Sequence, residues 1–244
     1  MTNRPNALSV SQRPTFPKGL YGITPDWQDI EKLDDAIHAA AAGGMTVVQL
    51  RNKTADPSTR LAFAQRLLKT CRSLGVLFIL NDDWRLVQQL GEVGPIGVHI
   101  GRDDGDSQSV RAALGDAIVL GVSCYDDFDR AVAAAQAIST ATSTETSAGT
   151  LTGPTVDYVA FGAMFASNTK PGAPPASLQV LTQARQHWPH DSKRPALVAI
   201  GGITVNNASL VIKAGAESLA VAGGLFLSPH IEQTARQFTE IIHQ

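Results

Sequence analysis

From residue 77 to 84 the chain reads Leu-Phe-Ile-Leu-Asn-Asp-Asp-Trp, four apolar residues that stop at an amide and two carboxylates. Such a run predicts a buried strand delivering polar side chains at its carboxyl end. The event recurs. Val47, Val48, Gln49 and Leu50 lead to Arg51, Gly97 to Ile100 run into Arg102-Asp103-Asp104, the run at 118–122 ends at Ser123, and Tyr158 to Phe161 precede Asn168-Thr169-Lys170. Between these runs apolar residues return at helical spacing, as in Leu33, Ile37, Ala40 and Ala41, or Leu61, Ala64, Leu67, Leu68 and Cys71.

Taken in order, the pattern predicts strands at 19–24, 46–51, 77–80, 97–100, 118–123, 157–162, 196–201 and 218–222. Helices are expected after each, at about 84–90, 107–114, 126–138 and 177–188 among others. Gly43-Gly44, Gly75 and Gly215 read as helix stops, Thr204 as a cap of the seventh helix, and Ser228-Pro229 as an N-cap and N1 pair for the last helix. Eight strand-helix units with parallel strands imply a sheet covered on both faces, and a closed single-domain (β/α)8 TIM barrel is the economical solution. A doubly wound sheet would place a glycine fingerprint after the first strand, where Thr24-Pro25-Asp26 stands instead.

Two segments fall outside the repeat. Residues 1–18 are polar and proline-bearing, read as a loose N-terminal arm before a barrel domain at 19–244, with no secretory character. Residues 139–155 are rich in Ser, Thr, Ala and Gly and read as a low-complexity insertion joining a helix to the next strand, on the face opposite an active site.

Composition narrows the class. A 244-residue chain with 43% hydrophobic and 17% charged residues supports one large core. A net charge of -2 offers no basic footprint for nucleic acid, and no apolar run nears the ~20 residues of a membrane span. Cys71 and Cys124 do not make a disulfide framework, so a reducing, cytoplasmic setting is expected. Oligomeric state is left open; a homo-oligomer is compatible with the pattern.

The candidate chemistry lies at the strand ends. Arg51 and Lys53 alternate, so an extended backbone sends both to one side, where two cations suit a diphosphate. Asp82 and Asp83 follow the third strand, and Asp103, Asp104 and Asp106 the fourth, so carboxylates from adjacent loops can converge on a magnesium ion that keeps phosphate and water ligands. Some of these aspartates are also expected to cap helices. Ser123 reads as a hydrogen-bonding residue rather than a nucleophile, Cys124 as an apolar filler and His99 as a packed barrel residue. The loop at 161–175, with Ser167, Thr169 and Lys170, reads as a lid carrying an anion site, and Gly201-Gly202 with Gly223-Gly224 as a phosphate site built from the last two strand ends. Two anion regions, one carboxylate pair and no general base suit a reaction in which diphosphate leaves and a neutral atom with a lone pair attacks.

These residues carry a resemblance. Gln49-Leu50-Arg51-Asn52-Lys53, Asn81-Asp82 with Trp84-Arg85-Leu86, His99 to Asp104, Gly121-Val122-Ser123, the loop at 167–170, Ala199 to Ile203 and Leu219-Ala220-Val221 resemble, in order and spacing, the thiamine-phosphate synthase family. The resemblance implies a transferase (EC 2.5.1.3) that joins hydroxymethylpyrimidine diphosphate to a thiazole phosphate, releasing diphosphate. It implies Asp82 and Asp104 as magnesium ligands, and Gln49, Arg51, Lys53, Asn81, Ser123 and Lys170 as pyrimidine and diphosphate contacts. Ser167, Thr169, Gly202, Gly223 and Gly224 are implied at the thiazole phosphate, with Arg51, Lys53, Ser123 and Lys170 as the catalytic set. Departures stand at Arg102, usually Gln in that family, at Ala163, Ala166 and Ser167 of the lid, and at Tyr125, frequently His. Two alternatives fit the same barrel: a thiazole tautomerase, which the acidic pair and the absent histidine disfavour, and a non-catalytic phosphate-ligand sensor.

Overall fold

The structure is a computed structural model that describes residues 14–90, 95–136, 154–166, 176–188 and 194–244. Strands β1 (Gly19–Ile23), β2 (Met45–Leu50), β3 (Leu77–Asn81), β4 (Ile96–Ile100), β5 (Val119–Tyr125), β6 (Tyr158–Phe161), β7 (Ala196–Ile200) and β8 (Ser218–Val221) are all parallel and close into one barrel, with β8 pairing back to β1. Helices α1 (Ile30–Ala42), α2 (Pro57–Leu74), α3 (Leu86–Gln89), α4 (Ser107–Leu114), α5 (Phe128–Ala135), α6 (Gln179–His187), α7 (Ala208–Lys213), α8 (Gly223–Phe226) and α9 (Ile231–Ile242) connect and surround them. The expected (β/α)8 architecture is therefore present, and strand bounds differ from the periodicity by one or two residues.

Helix starts follow the acidic caps. Asp29 accepts from Lys32, Asp56 from Ser58 and Thr59, Asp106 from Ser109 and Asp127 from Arg130, each through backbone N–H groups at the first turn. Gly75 ends α2 in the left-handed conformation at φ 68°. Two expected caps differ. The last helix begins at Ile231 after His230, because the Ser228 hydroxyl accepts from the His230 N–H in a tight turn and pairs with Thr234. Helix α7 begins at Ala208, and Asn207 spans the turn before it by accepting from Thr204 N and donating to Gly202 O. The short α8 has no periodic signature; four residues carry too little pattern.

Alternation along the strands divides the core. Outward residues such as Leu20, Val48, Phe78, Val98 and Leu197 pack under the helices, while Tyr21, Val47, Ile79, Val119, Tyr158 and Val198 fill the barrel. Phe16 belongs to the inner cluster: its ring lies 4.3 Å from Tyr158 and 6.0 Å from Tyr21, centroid to centroid. The arm read as loose through residue 18 is thus packed at Phe16, since an exposed aromatic ring finds apolar cover at the barrel floor. Residues 1–13 and the insertion from 139 to 153 lie outside the described residues.

Two buried carboxylates clamp the same end of the barrel in the same way. Asp157, before β6, donates its N–H to Leu120 O and accepts Leu120 N at 2.7 Å; Glu217, before β8, donates to Leu197 O and accepts Leu197 N at 3.1 Å. Each holds an arginine. Arg111, only 1% exposed, reaches Asp157 at 2.6 Å and also donates to the carbonyls of Thr155, Gly115 and Ile118. Arg194 meets Glu217 in a fork at 2.7 and 2.8 Å, and Lys18 adds a second cation at 2.6 Å.

Breaking these clamps should be costly. Replacing Arg111 with Leu leaves Asp157 buried without that counter-charge, and we expect urea unfolding to show a loss of roughly 3–5 kcal/mol; a loss under 1 kcal/mol would contradict the clamp. Burial works against ionisation of Glu217, but hydrogen bonds from Arg194, Lys18 and Leu197 outweigh it and lower its pKa to about 2. A lowered folded pKa contributes stability that is fully present above the ordinary carboxylate value of 4.5 and lost as pH falls towards 2. Thermal melts from pH 7 to 3 should therefore decline less steeply in Glu217→Gln than in the parent, from a lower starting point.

Candidate functional site at the carboxyl ends of the strands

The alternation that fills the barrel also selects what faces its mouth. In β2 the inward positions continue from Val47 to Gln49, in β3 from Ile79 to Asn81, and in β5 from Val119 to Ser123. Register places them on successive steps: Gln49 pairs with Ile79, Asn81 with His99 and Ser123 with Ala160. Arg51 follows Gln49 by two residues, and its N–H is held by the Thr24 hydroxyl at 3.0 Å. Asn52, between the cations, is buried; its side-chain oxygen accepts from Ala55 N and Gln28 Nε2 and so shapes the turn. Lys53 is exposed, its N–H bound to Asp26 and its ammonium 3.5 Å from Asp82.

Asp82 sits where the strand direction breaks. Its backbone is left-handed at φ 64°, a conformation that short polar side chains tolerate better than most, and its N–H donates to His99 O at 2.8 Å. The β3 end is thereby tied to β4. Asp104 accepts from Gly101 N at 2.8 Å. Asp106 performs the capping of α4, as expected of one of these aspartates. Asp83 pairs with Arg60 at 3.5 Å, away from Lys53.

Ser123 and His99 touch at 2.8 Å, Oγ to Nε2, and His99 Nδ1 lies 3.0 Å from the Tyr158 hydroxyl. Burial pushes the His99 imidazole down to about 4, against the opposing pull of the Asp104 charge. Cys124 faces the helices; burial pushes its thiol up to about 12, which suits filler rather than nucleophile. Tyr125 has φ 59° at a β5 irregularity opposite Phe161, and the Arg102 guanidinium lies 4.9 Å from its ring centroid. Two substitutions that looked separate in sequence are thus one contact.

The glycines of the last two strand ends also serve the packing of the chain. A Cβ at Gly202 would meet the carbonyl oxygens of Phe165 and Ala166, and one at Gly224 would meet Ile203 O, all at 2.6 Å. Met164 and Phe165 also donate to Ile200 and Gly201 carbonyls. Close approach of the chain itself therefore demands these glycines, with Gly202 at φ 64°. Gly223 is tight only against the Leu227 side chain. Ser167, Thr169 and Lys170 lie outside the described residues. The hydrogen-bonded role of Tyr21 and Tyr158 is absent from the strand pattern; the trace in sequence is the inward-facing Tyr158 beside a strand that carries Gly121.

Comparison with known proteins bears on the family and the fold. Residues 20–225 match the sequence model of a family described as thiamine monophosphate synthase. The chain is 50% identical over 222 residues to a thiamine-phosphate synthase of Bordetella pertussis, covering 91% of this chain and 93% of the relative. A thiamine-phosphate synthase of Thiobacillus denitrificans is 40% identical over 227 residues, covering 93% and 96%. Among solved structures, a thiamine phosphate pyrophosphorylase from Pyrococcus furiosus superposes with a TM-score of 0.72 at 21% identity, covering 92% of this chain and 95% of its own, a likeness of fold. Through the matched residues and the curated relatives, the chain belongs to the thiamine monophosphate synthase family.

Proposed function

We propose that this chain is a thiamine-phosphate synthase that joins the pyrimidinylmethyl group of hydroxymethylpyrimidine diphosphate to the nitrogen of a thiazole phosphate. The observation that supports it best is the Lys53 ammonium 3.5 Å from Asp82, with Arg51 and Asp104 at the same ends of strands that hydrogen-bond side by side. The relatives carry that activity in their names, and the family match spans nearly the whole barrel.

The residues fit a magnesium ion. Asp82 and Asp104 supply two carboxylates from adjacent strand ends, and among the described residues no three His, Cys, Asp or Glu side chains gather into an all-protein cage. Magnesium favours one or two carboxylates with substrate phosphate oxygens and water. When bound, the ion neutralises charge on the diphosphate.

The chain's own residues do the rest. Arg51 offers a planar fork to diphosphate oxygens and Lys53 a mobile point charge, and both become more favourable as negative charge collects on the leaving group. Departure leaves a pyrimidinylmethyl cation stabilised by the ring's amino group, and the thiazole nitrogen captures it with its lone pair. No proton has to be removed, which agrees with a site where His99 is held neutral and buried. Gln49 and Asn81 face the same space from β2 and β3 and orient the pyrimidine. Ser167, Thr169, Gly202, Gly223 and Gly224 are proposed to hold the thiazole phosphate, and Lys170 to contact the diphosphate.

Purified protein given both substrates should release diphosphate and thiamine phosphate in equal amounts, dependent on magnesium. Removing a preorganised group that acts on developing charge typically lowers turnover by ~10²–10³. We expect a loss of that order in Lys53→Ala and in Lys170→Ala at saturating magnesium. Asp82→Ala should raise the magnesium requirement as well as lower the rate. Unaltered magnesium dependence in that variant would remove Asp82 from the metal site, and thiazole rearrangement without diphosphate release would point to a tautomerase.

A further inference from the structure

A continuous chain of polar side chains crosses the barrel interior beneath the site. Gln49 Nε2 donates to the Tyr21 hydroxyl at 2.7 Å, Tyr21 and Tyr158 hydroxyls meet at 2.9 Å, Tyr158 meets His99 Nδ1 at 3.0 Å, and His99 Nε2 meets Ser123 Oγ at 2.8 Å. Gln49, Tyr21, Tyr158 and His99 are 3%, 1%, 0% and 6% exposed, and Ser123 alone is half-buried. The chain therefore links β2 to β5 through dry protein and surfaces at one hydroxyl.

Proton counting sets its direction. The Gln49 amide nitrogen can only donate, so the Tyr21 oxygen accepts and its own proton needs an acceptor; among the described residues the Tyr158 oxygen is the acceptor in reach. The Tyr158 proton then goes to His99 Nδ1, which leaves the His99 proton on Nε2, donated to Ser123 Oγ. Ser123 is left with one proton and no acceptor within hydrogen-bond distance among the described residues, on the side that opens to the mouth. The fold makes room for this arrangement. A Cβ at Gly121 would overlap the Tyr158 ring, and Gly121 is the residue paired with His99 across β4 and β5. Phe16 covers the Tyr158 ring from below.

We propose that Tyr21, Tyr158 and His99 form a positioning chain that holds the Ser123 hydroxyl as a proton donor towards an acceptor atom of the bound pyrimidine diphosphate, and couples that hydroxyl to the orientation of the Gln49 amide. The proposal rests on the synthase reading, which supplies the acceptor. A hydroxyl that accepts a hydrogen bond donates a stronger one, so the chain strengthens as well as aims the Ser123 contact. The same direction excludes a Ser123 nucleophile, since His99 Nε2 already carries its proton and cannot take another from the serine.

Protein labelled with ¹⁵N at histidine provides a test independent of turnover: side-chain ¹⁵N–¹H correlation spectra report the tautomer, with His99 assigned by the signals lost in His99→Gln. The Nε2–H tautomer is expected; an Nδ1–H tautomer would reverse the chain and overturn the proposal. Kinetically, His99→Gln keeps a donor near the Nε2 position and should stay within about fivefold of the parent kcat, whereas His99→Leu, of similar size, should lose roughly 10–100-fold with little change in KM for the pyrimidine diphosphate, about 1.4 kcal/mol for each tenfold. Equal rates in the two variants would reduce His99 to a space-filling residue. If His99→Leu fails to fold, Tyr158→Phe removes one oxygen without changing volume; a kcat within twofold of the parent together with an unchanged His99 spectrum would also overturn the proposal. Failure of the parent to form thiamine phosphate would instead remove the reaction and leave the tautomer measurement to decide the chain.

Discussion

Closure of eight parallel strands is the constraint from which the rest follows. A closed parallel sheet has no edge, so every inward position is either core or site, and which it becomes depends on height along the strand. In β2 the change from Val47 to Gln49 is one inward step, and in β3 the change from Ile79 to Asn81 is another. A one-residue slip in either strand would turn the amide outward beneath a helix and an apolar residue into the mouth. At the far end of the barrel, the clamps at Asp157 and Glu217 fix register in other strand pairs. Each carboxylate binds the N–H of the strand before it while its own N–H binds the carbonyl of that same residue, so the pairing of β5 with β6 and of β7 with β8 is set at its first residue.

The barrel interior is unusual in being partly polar, and it remains stable because the polar groups satisfy one another. Four hydrogen bonds between 2.7 and 3.0 Å accommodate an amide, two phenols, an imidazole and a hydroxyl. Each phenol is held protonated chiefly by burial, which pushes both tyrosine pKa values up. Satisfaction of this kind is all or nothing, because one missing partner strands the next group in a dry environment. The upper face is the opposite case. There Arg51, Asp82 and Asp104 are only partly buried and Lys53 is exposed, its charge matched loosely by Asp82 at 3.5 Å.

Much of the fold was legible in the sequence because its signals are local. Apolar runs of four to six residues, helical spacing between them and aspartates before helices each depend on near neighbours in the chain, and those elements recur in the structure. The strand-end location of Gln49, Arg51, Asn81, Asp82, Asp104 and Ser123 was legible for the same reason: a strand's end is a feature of one segment. Where caps were misread, at Thr204 and Ser228, two polar residues competed within four positions, and local pattern does not rank them. The burial of Phe16 escaped because its partners, Tyr21 and Tyr158, include one 142 residues away in the chain, a separation read directly from the numbering.

By itself the sequence determined the architecture, the identity of the polar groups at the strand ends and, through resemblance, the family. Tertiary structure alone decided which of those groups meet. His99 becomes a link between Tyr158 and Ser123, Arg102 and Tyr125 become one contact, and Gly202 and Gly224 serve chain packing, because closure brings together strands whose separation in sequence carries no periodic signal. The physical reason is that hydrophobic periodicity encodes which face of an element is buried, whereas hydrogen-bond partners depend on register and distance across the barrel, and those exist only once the sheet has closed.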